Sequence, residues 1–143
     1  MVVNDLKYVL MKKLLFAITL IFIMLPVSAA APVTRPVITI SPNSISVEQG
    51  TTCVIVIVVE CDNPIDVKCQ IPTGFPDGTM VQKIEKSKTE TKVEINFRIT
   101  IPTSGTYNVN VPVNVKVKEN GRWSDAIEES KTIPITVTAS SAN

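Results

Sequence analysis

The sequence predicts an all-β protein, a sandwich of two antiparallel sheets, and three observations carry that prediction. Over residues 105–118 every second residue is apolar: Tyr107, Val109, Val111, Val113, Val115 and Val117 share one parity, while Asn108, Asn110, Pro112, Asn114, Lys116 and Lys118 share the other. Side chains alternate faces along a strand, so this segment has one buried and one wet face, as sheets covered on a single side do. Further runs of the same kind recur at short intervals with Gly, Pro, Asn and Asp between them, which is sandwich spacing. Beyond residue 31 no segment keeps helical periodicity.

The strands follow in order. The first covers residues 37–40 and resumes at 45–47 after Ser41-Pro42-Asn43; a proline break of this kind belongs on an edge strand. Glu48-Gln49-Gly50 turns into the second, residues 51–60. Residues 61–64 turn into the third, 65–71, where Ile65, Val67, Cys69 and Ile71 alternate with Asp66, Lys68 and Gln70. A Pro- and Gly-rich loop, 72–78, precedes a weakly patterned fourth strand at 79–84. The fifth is marked by Val93, Ile95, Phe97, Ile99 and Ile101, the sixth is 105–118, and the seventh contains Ile133, Ile135 and Val137. Seven strands is the count of the constant-type immunoglobulin-like sandwich. The fold class expected is therefore a seven-stranded antiparallel immunoglobulin-like β-sandwich. Two irregularities are expected within it. Asn120-Gly121 is a two-residue hairpin signal, but pairing outward from it sets Ile127 against Asn114 and Glu128 against Val113, so a bulge or longer loop must intervene over 120–129. Pro112 has no N–H to donate, so a local break in the ladder is expected there.

Residues 1–31 read as a targeting segment in front of one domain, 32–143. Lys12 and Lys13 precede an apolar run at 14–25, then Pro26 and the small residues Ser28, Ala29, Ala30 and Ala31, the order of a secretory signal peptide. Cleavage is expected after Ala29, Ala30 or Ala31. The basic pair stands directly behind Met11, so either translation starts at Met11 or the first ten residues are a long n-region. The alternative to cleavage is a retained anchor helix; Thr19, Pro26 and the alanine cluster argue for cleavage. Residues 32–143 carry eleven Lys and Arg against twelve Asp and Glu, a net charge of −1. No basic stripe remains for a nucleic acid, and no second apolar run is long enough to span a membrane. The expected location is secreted or in the cell envelope.

The chain contains no histidine. Ser-His-Asp and Cys-His nucleophilic sites and histidine-dependent metal sites are thereby excluded, and no catalytic residue, cofactor or metal is expected. Cys53 and Cys69 each stand eight residues from Cys61, on consecutive strands and both at core-facing parity. They are the disulfide candidate in an oxidising compartment, given Cα atoms within about 7 Å; closing a loop of roughly 15 residues would contribute about 3 kcal/mol. Cys61 is then the free thiol candidate, read either as an intermolecular link or as an inert, half-buried side chain.

The second strand, 53–59, is apolar on both parities. Val54, Val56 and Val58 should face outward beside the polar residues of the fifth strand. This is either a docking stripe or a set of good strand formers covered by the stems of Lys92 and Arg98. Trp123 stands in a loop, either as a ligand anchor or folded onto its own loop. Asp62, Asp66, Asp125, Glu128 and Glu129 are oxygen donors of the kind calcium takes, without a calcium-loop motif.

Ile45-Ser46-Val47-Glu48-Gln49-Gly50-Thr51, an apolar strand and then Asp62-Asn63-Pro64 resemble the opening of immunoglobulin-like modules of bacterial and archaeal surface proteins, specifically the cell-adhesion-related domain shared by those groups. Thr103-Ser104-Gly105-Thr106-Tyr107 resembles the corner entering the sixth strand, where a tyrosine hydroxyl bonds back to nearby backbone. The resemblance covers residues 45–137. It departs from antibody-type domains in lacking the third-strand tryptophan and in having valine where the second bridge cysteine would stand, so immune-type recognition is not implied. The function expected is non-enzymatic contact or adhesion with a protein partner or a second copy, through Val54, Val56 and Val58 or through Trp123. The alternatives are a small-ligand or calcium-binding module and an accessory domain of an envelope enzyme.

Overall fold

Nine strands in two sheets make up the described part of the chain, residues 34–141 of the computed structural model. They are β1 (Val37–Ser41), β2 (Ile45–Glu48), β3 (Thr52–Glu60), β4 (Ile65–Cys69), β5 (Met80–Lys88), β6 (Lys92–Thr100), β7 (Gly105–Glu119), β8 (Arg122–Trp123) and β9 (Ile127–Thr138). One sheet has the order β1-β3-β6-β5 and the other β2-β9-β7-β4, with β8 paired to β7 alone. That is the division of an immunoglobulin-like constant-type sandwich, in which the second, fifth and fourth strands lie beside the first, and the third, sixth and seventh form the opposing sheet. The inward parity of each long strand supplies the core: Ile55, Ile57, Phe97, Ile99, Val109, Val111, Val113, Ile133 and Ile135 are buried between the sheets. The predicted leader at 1–31 lies outside the described residues. Among the described residues no helix is long and apolar enough to cross a membrane.

The predicted count of seven strands is corrected to nine, for two local reasons. The first strand does not stay in one sheet. At Ser41-Pro42-Asn43 it crosses over, so β1 pairs with β3 while β2 joins the opposite sheet beside β9. The β2–β9 pairing is parallel, so the sandwich is not purely antiparallel. The ninth element is the two-residue β8. Asn120 and Gly121 both take positive φ, 50° and 75°, the type I′ geometry that matches strand twist in a hairpin. They set Lys118 opposite Trp123 and Glu119 opposite Arg122.

Both expected irregularities are present. From β8 to β9 the pairing gains one residue, so Val115 meets Ile127 and Asn114 meets Glu128, and parity is restored after Ser124, Asp125 and Ala126. On the other flank of β7 the ladder with β4 stops at Cys69–Val113 and resumes only at the Thr73–Asn110 bridge. The N–H of Asn110 points to that flank, donating to the Thr73 carbonyl at 2.8 Å. Two residues on, the nitrogen of Pro112 faces the gap, where no donor is required. β4 therefore ends at Cys69, not at Ile71, and Ile71 is 59% exposed. β5, expected to end at residue 84, runs on to Lys88 because a bulge between Glu85 and Ser87 keeps it paired with β6.

Candidate functional site

The outer faces of the two sheets differ in chemistry. On the β2-β9-β7-β4 sheet the outward positions are polar: Asp66 and Lys68 on β4, Asn110, Asn114 and Lys116 on β7, and Glu128, Thr132 and Thr136 on β9. On the β1-β3-β6-β5 sheet the outward rows are read from the register. Val37 stands beside Glu60 and Lys92; Thr39 beside Val58 and Glu94; Ser41 beside Val56, Asn96 and Ile84; Val54 beside Arg98 and Gln82; Thr52 beside Thr100 and Met80. Val54, Val56 and Val58 thus lie outward beside the polar residues of the fifth predicted strand, as the parity of 53–59 requires.

Burial shows how far this face is covered. Val56 and Val58 are half-buried among their neighbours, whereas Val54 is 38%, Val37 64% and Met80 67% exposed. Lys92 does not lie over the valines. Its ammonium pairs with Glu60 at 3.0 Å, and that hydrogen bond raises its pKa. Neither Glu94 nor Arg98 has an ion-pair partner among the described residues. In the middle row the amide oxygen Oδ1 of Asn96 is buried and accepts no hydrogen bond, an arrangement that costs free energy in the isolated domain. Two concavities flank the face. One of about 240 Å³ is lined by Thr52, Met80, Gln82, Arg98 and Thr100. The other, about 380 Å³, is lined by Arg35, Val37, Glu60, Cys61, Asp62 and Lys92.

The remaining predicted residues are placed as follows. Trp123 on β8 is 49% exposed, with the Lys118 ammonium 5.7 Å from its ring centroid, within range of a cation–π contact. It lies across its own hairpin from Lys118 and is not part of the β1-β3-β6-β5 face. Among the described residues no three of His, Cys, Asp and Glu come together as a metal set, so Asp62, Asp66, Asp125, Glu128 and Glu129 do not converge.

The Cys53–Cys69 bridge is corrected: all three cysteines are free thiols. Cys53 and Cys69 do both face the core, and loss of water raises the pKa of each. They are laterally offset, however. Lys83 of β5 donates to the Cys69 carbonyl at 3.0 Å, which places β4 against β5, whereas β3 lies two strand positions in from β5. At about 4.8 Å per strand, two positions alone exceed the reach of a disulfide. Parity and height along the strands are visible in sequence; lateral position in the sheet is not. Cys61 is half-buried beside the larger concavity.

The tyrosine corner expected at β7 is formed. The Tyr107 hydroxyl lies 3.0 Å from the Thr103 carbonyl and 3.2 Å from that of Ser104, and donates back into the turn. Ile84, Met80 and Asn96 were not singled out by the sequence. The alternation of β6 marks Asn96 as outward, but β5 is too polar to reveal which of its residues face out beside it.

No protein-family model matches the chain, and no curated protein matches it in sequence. Among solved structures, the chain is similar to the BIgI domain of beta protein from S. agalactiae bound to CEACAM1, at 15% identity and TM-score 0.44, over 73% of this chain and 99% of that one. It is similar to the ASH/PapD-like domain 7 of human CEP192, at 9% identity and TM-score 0.47, over 78% and 96%. It is also similar to domains 4 and 5 of the S-layer protein SbsC, at 11% identity and TM-score 0.40, over 76% of this chain and 54% of that one.

Proposed function

We propose that this chain is an exported, non-enzymatic immunoglobulin-like module of the cell surface or envelope, and that it works by protein–protein contact through the outer face of the β1-β3-β6-β5 sheet. The observation that carries the reading is the asymmetry of the two outer faces. One is mainly polar, its apolar members being Pro112, Pro134 and Trp123. The other carries Val37, Val54, Met80, Val56, Val58 and Ile84 around an amide oxygen without a donor. The Val54, Val56 and Val58 stripe, with Val37, Ile84 and Met80 set among polar neighbours, is apolar surface of the kind that marks an interaction site on a small domain. The signal-peptide order of residues 1–31 and the likeness of residues 45–137 to bacterial and archaeal surface modules support the location. A chain without histidine has no Ser-His-Asp or Cys-His nucleophilic site, which supports a non-enzymatic role.

The test is site-specific photo-crosslinking in the organism that makes the protein, with a photoreactive residue at Val56 and, as a control, at Thr132 on the polar face. Protein adducts are expected from position 56 and not from 132. No adduct from 56, or equal adducts from both, overturns the reading.

A further inference from the structure

We infer that the occupant of this face is a second copy of the chain, held by a two-fold axis that lies in the interface and runs along the row Ser41, Val56, Asn96, Ile84. The inference rests on the face being an interaction surface, as proposed above, and adds the partner and its register. Face-to-face packing of two like sheets leaves two simple two-fold choices. An axis parallel to the strands and over β6 sets each β6 residue against its own copy, so Glu94 meets Glu94 and Arg98 meets Arg98. One between β3 and β6 sets Arg98 against Val54 and Glu94 against Val58, which covers both charges with valine and leaves them unpaired. An axis perpendicular to the strands, through Asn96, makes the two β6 strands antiparallel. Glu94 of each copy then meets Arg98 of the other, because both stand two residues from Asn96 and share its outward parity. Like charges opposed across an interface are disfavoured and opposite ones favoured, so the perpendicular axis is selected.

The residues of β3 and β5 nearest the axis agree with it. Val54 and Val58 also lie two residues either side of Val56 on β3, so each meets the other in the second copy while Val56 and Ile84 meet themselves. Asn96 meets Asn96. A side-chain amide carries both a donor and an acceptor, so two of them related by a two-fold satisfy each other reciprocally. This gives the orphaned Oδ1 a donor once the amide turns outward. The extent of the face is sufficient. Three nine-residue strands and the five-residue β1, at about 3.4 Å per residue and about 4.8 Å per strand, give on the order of 500 Å² per copy. The total, about 1,000 Å², is at the minimum for a specific interface, so the association is weak and concentration-dependent.

The chain is expressed with its own leader, and the isolated protein is measured by sedimentation velocity across a concentration series to about 1 mM. Wild type is expected to shift from monomer to dimer as concentration rises. Glu94→Arg and Arg98→Glu should each weaken association by at least about tenfold, since each sets two pairs of like charges face to face. Mixed in equal amounts, the two variants should associate again, because both pairs across the heterodimer are then opposite in sign; a variant that had merely misfolded would not recover. A wild-type chain that stays monomeric, or association indifferent to both charge reversals, overturns the proposal. So does a mixture of the two variants that fails to associate. These failures are separable from failure of the interaction face itself. Wild type monomeric in solution but crosslinked through position 56 to a different protein removes the second copy and keeps the face. No adduct at position 56 removes both.

Discussion

Asn96 stands at the centre of the apolar face with a buried oxygen that no group in its own domain satisfies. Leaving that oxygen without a donor costs free energy in the folded domain. Cys53 and Cys69 are held between the sheets, where desolvation raises their pKa and disfavours the reactive thiolate, whereas Cys61 is partly open to solvent. In the native protein, a small disulfide reagent is expected to modify Cys61 first, with Cys53 and Cys69 protected. Without reductant but in denaturant, all three thiols should titrate. A count of one under denaturant would show that Cys53 and Cys69 had paired after all.

The elements at the sheet margins are built against edge-to-edge pairing. β1, β2 and β4 have five, four and five residues. β5 has a bulge and turns Lys83 inward onto the Cys69 carbonyl. Short, bulged and charged edges discourage strand addition. The loop between β4 and β5 is fixed by one close approach. Gly74 has φ +104°, and a Cβ placed on it would lie 2.3 Å from the Asn108 carbonyl oxygen. That oxygen belongs to backbone and has no room to retreat, because β7 is paired with β9 at Asn108. Gly74→Ala should therefore lower stability by about 1–3 kcal/mol through backbone strain alone, with further loss as the Thr73–Asn110 bridge is displaced. Denaturant unfolding of the two proteins measures this; an unchanged midpoint would show that the loop carries no strain. The position was legible in sequence only as part of a Pro- and Gly-rich loop. Which glycine touches another strand depends on where that loop crosses the sheet.

At the scale of the whole molecule, the segment that follows β9 is tied back to the end of β2. The Glu48 carboxylate accepts from the Ser141 N–H at 2.8 Å and from its hydroxyl at 3.3 Å, beside the β2–β9 pairing. The bond from the Ser141 N–H, followed by that from the Ser140 side chain, holds the Glu48 pKa below its ordinary value. A carboxylate with a lowered folded pKa adds stability that is present above its unfolded pKa and is lost as pH falls through the folded one. Acidification through and below the ordinary glutamate range should therefore release residues 139–141. A fall in the protection of the Ser141 amide, taken as the free-amide exchange rate at each pH divided by the observed rate at that pH, reports that release. Glu48→Gln should show it already at neutral pH, and equal protection in the two proteins at neutral pH would count against the tie.

The fold class, the inward and outward parity of β3, β4, β6 and β7, the hairpin at Asn120-Gly121 and the extra residue before Ile127 were determined by the sequence alone. Each follows from a period of two or from backbone chemistry within a few residues. The tertiary structure decided the passage of the first strand from one sheet to the other, the lateral offset that keeps Cys53 from Cys69, the end of β4 at Cys69, and the meeting of Val56, Asn96 and Ile84 in one row. The physical reason is that alternation specifies which face a side chain occupies. Its neighbours on that face are set by strand order and register, and these arise from contacts between residues far apart in the chain.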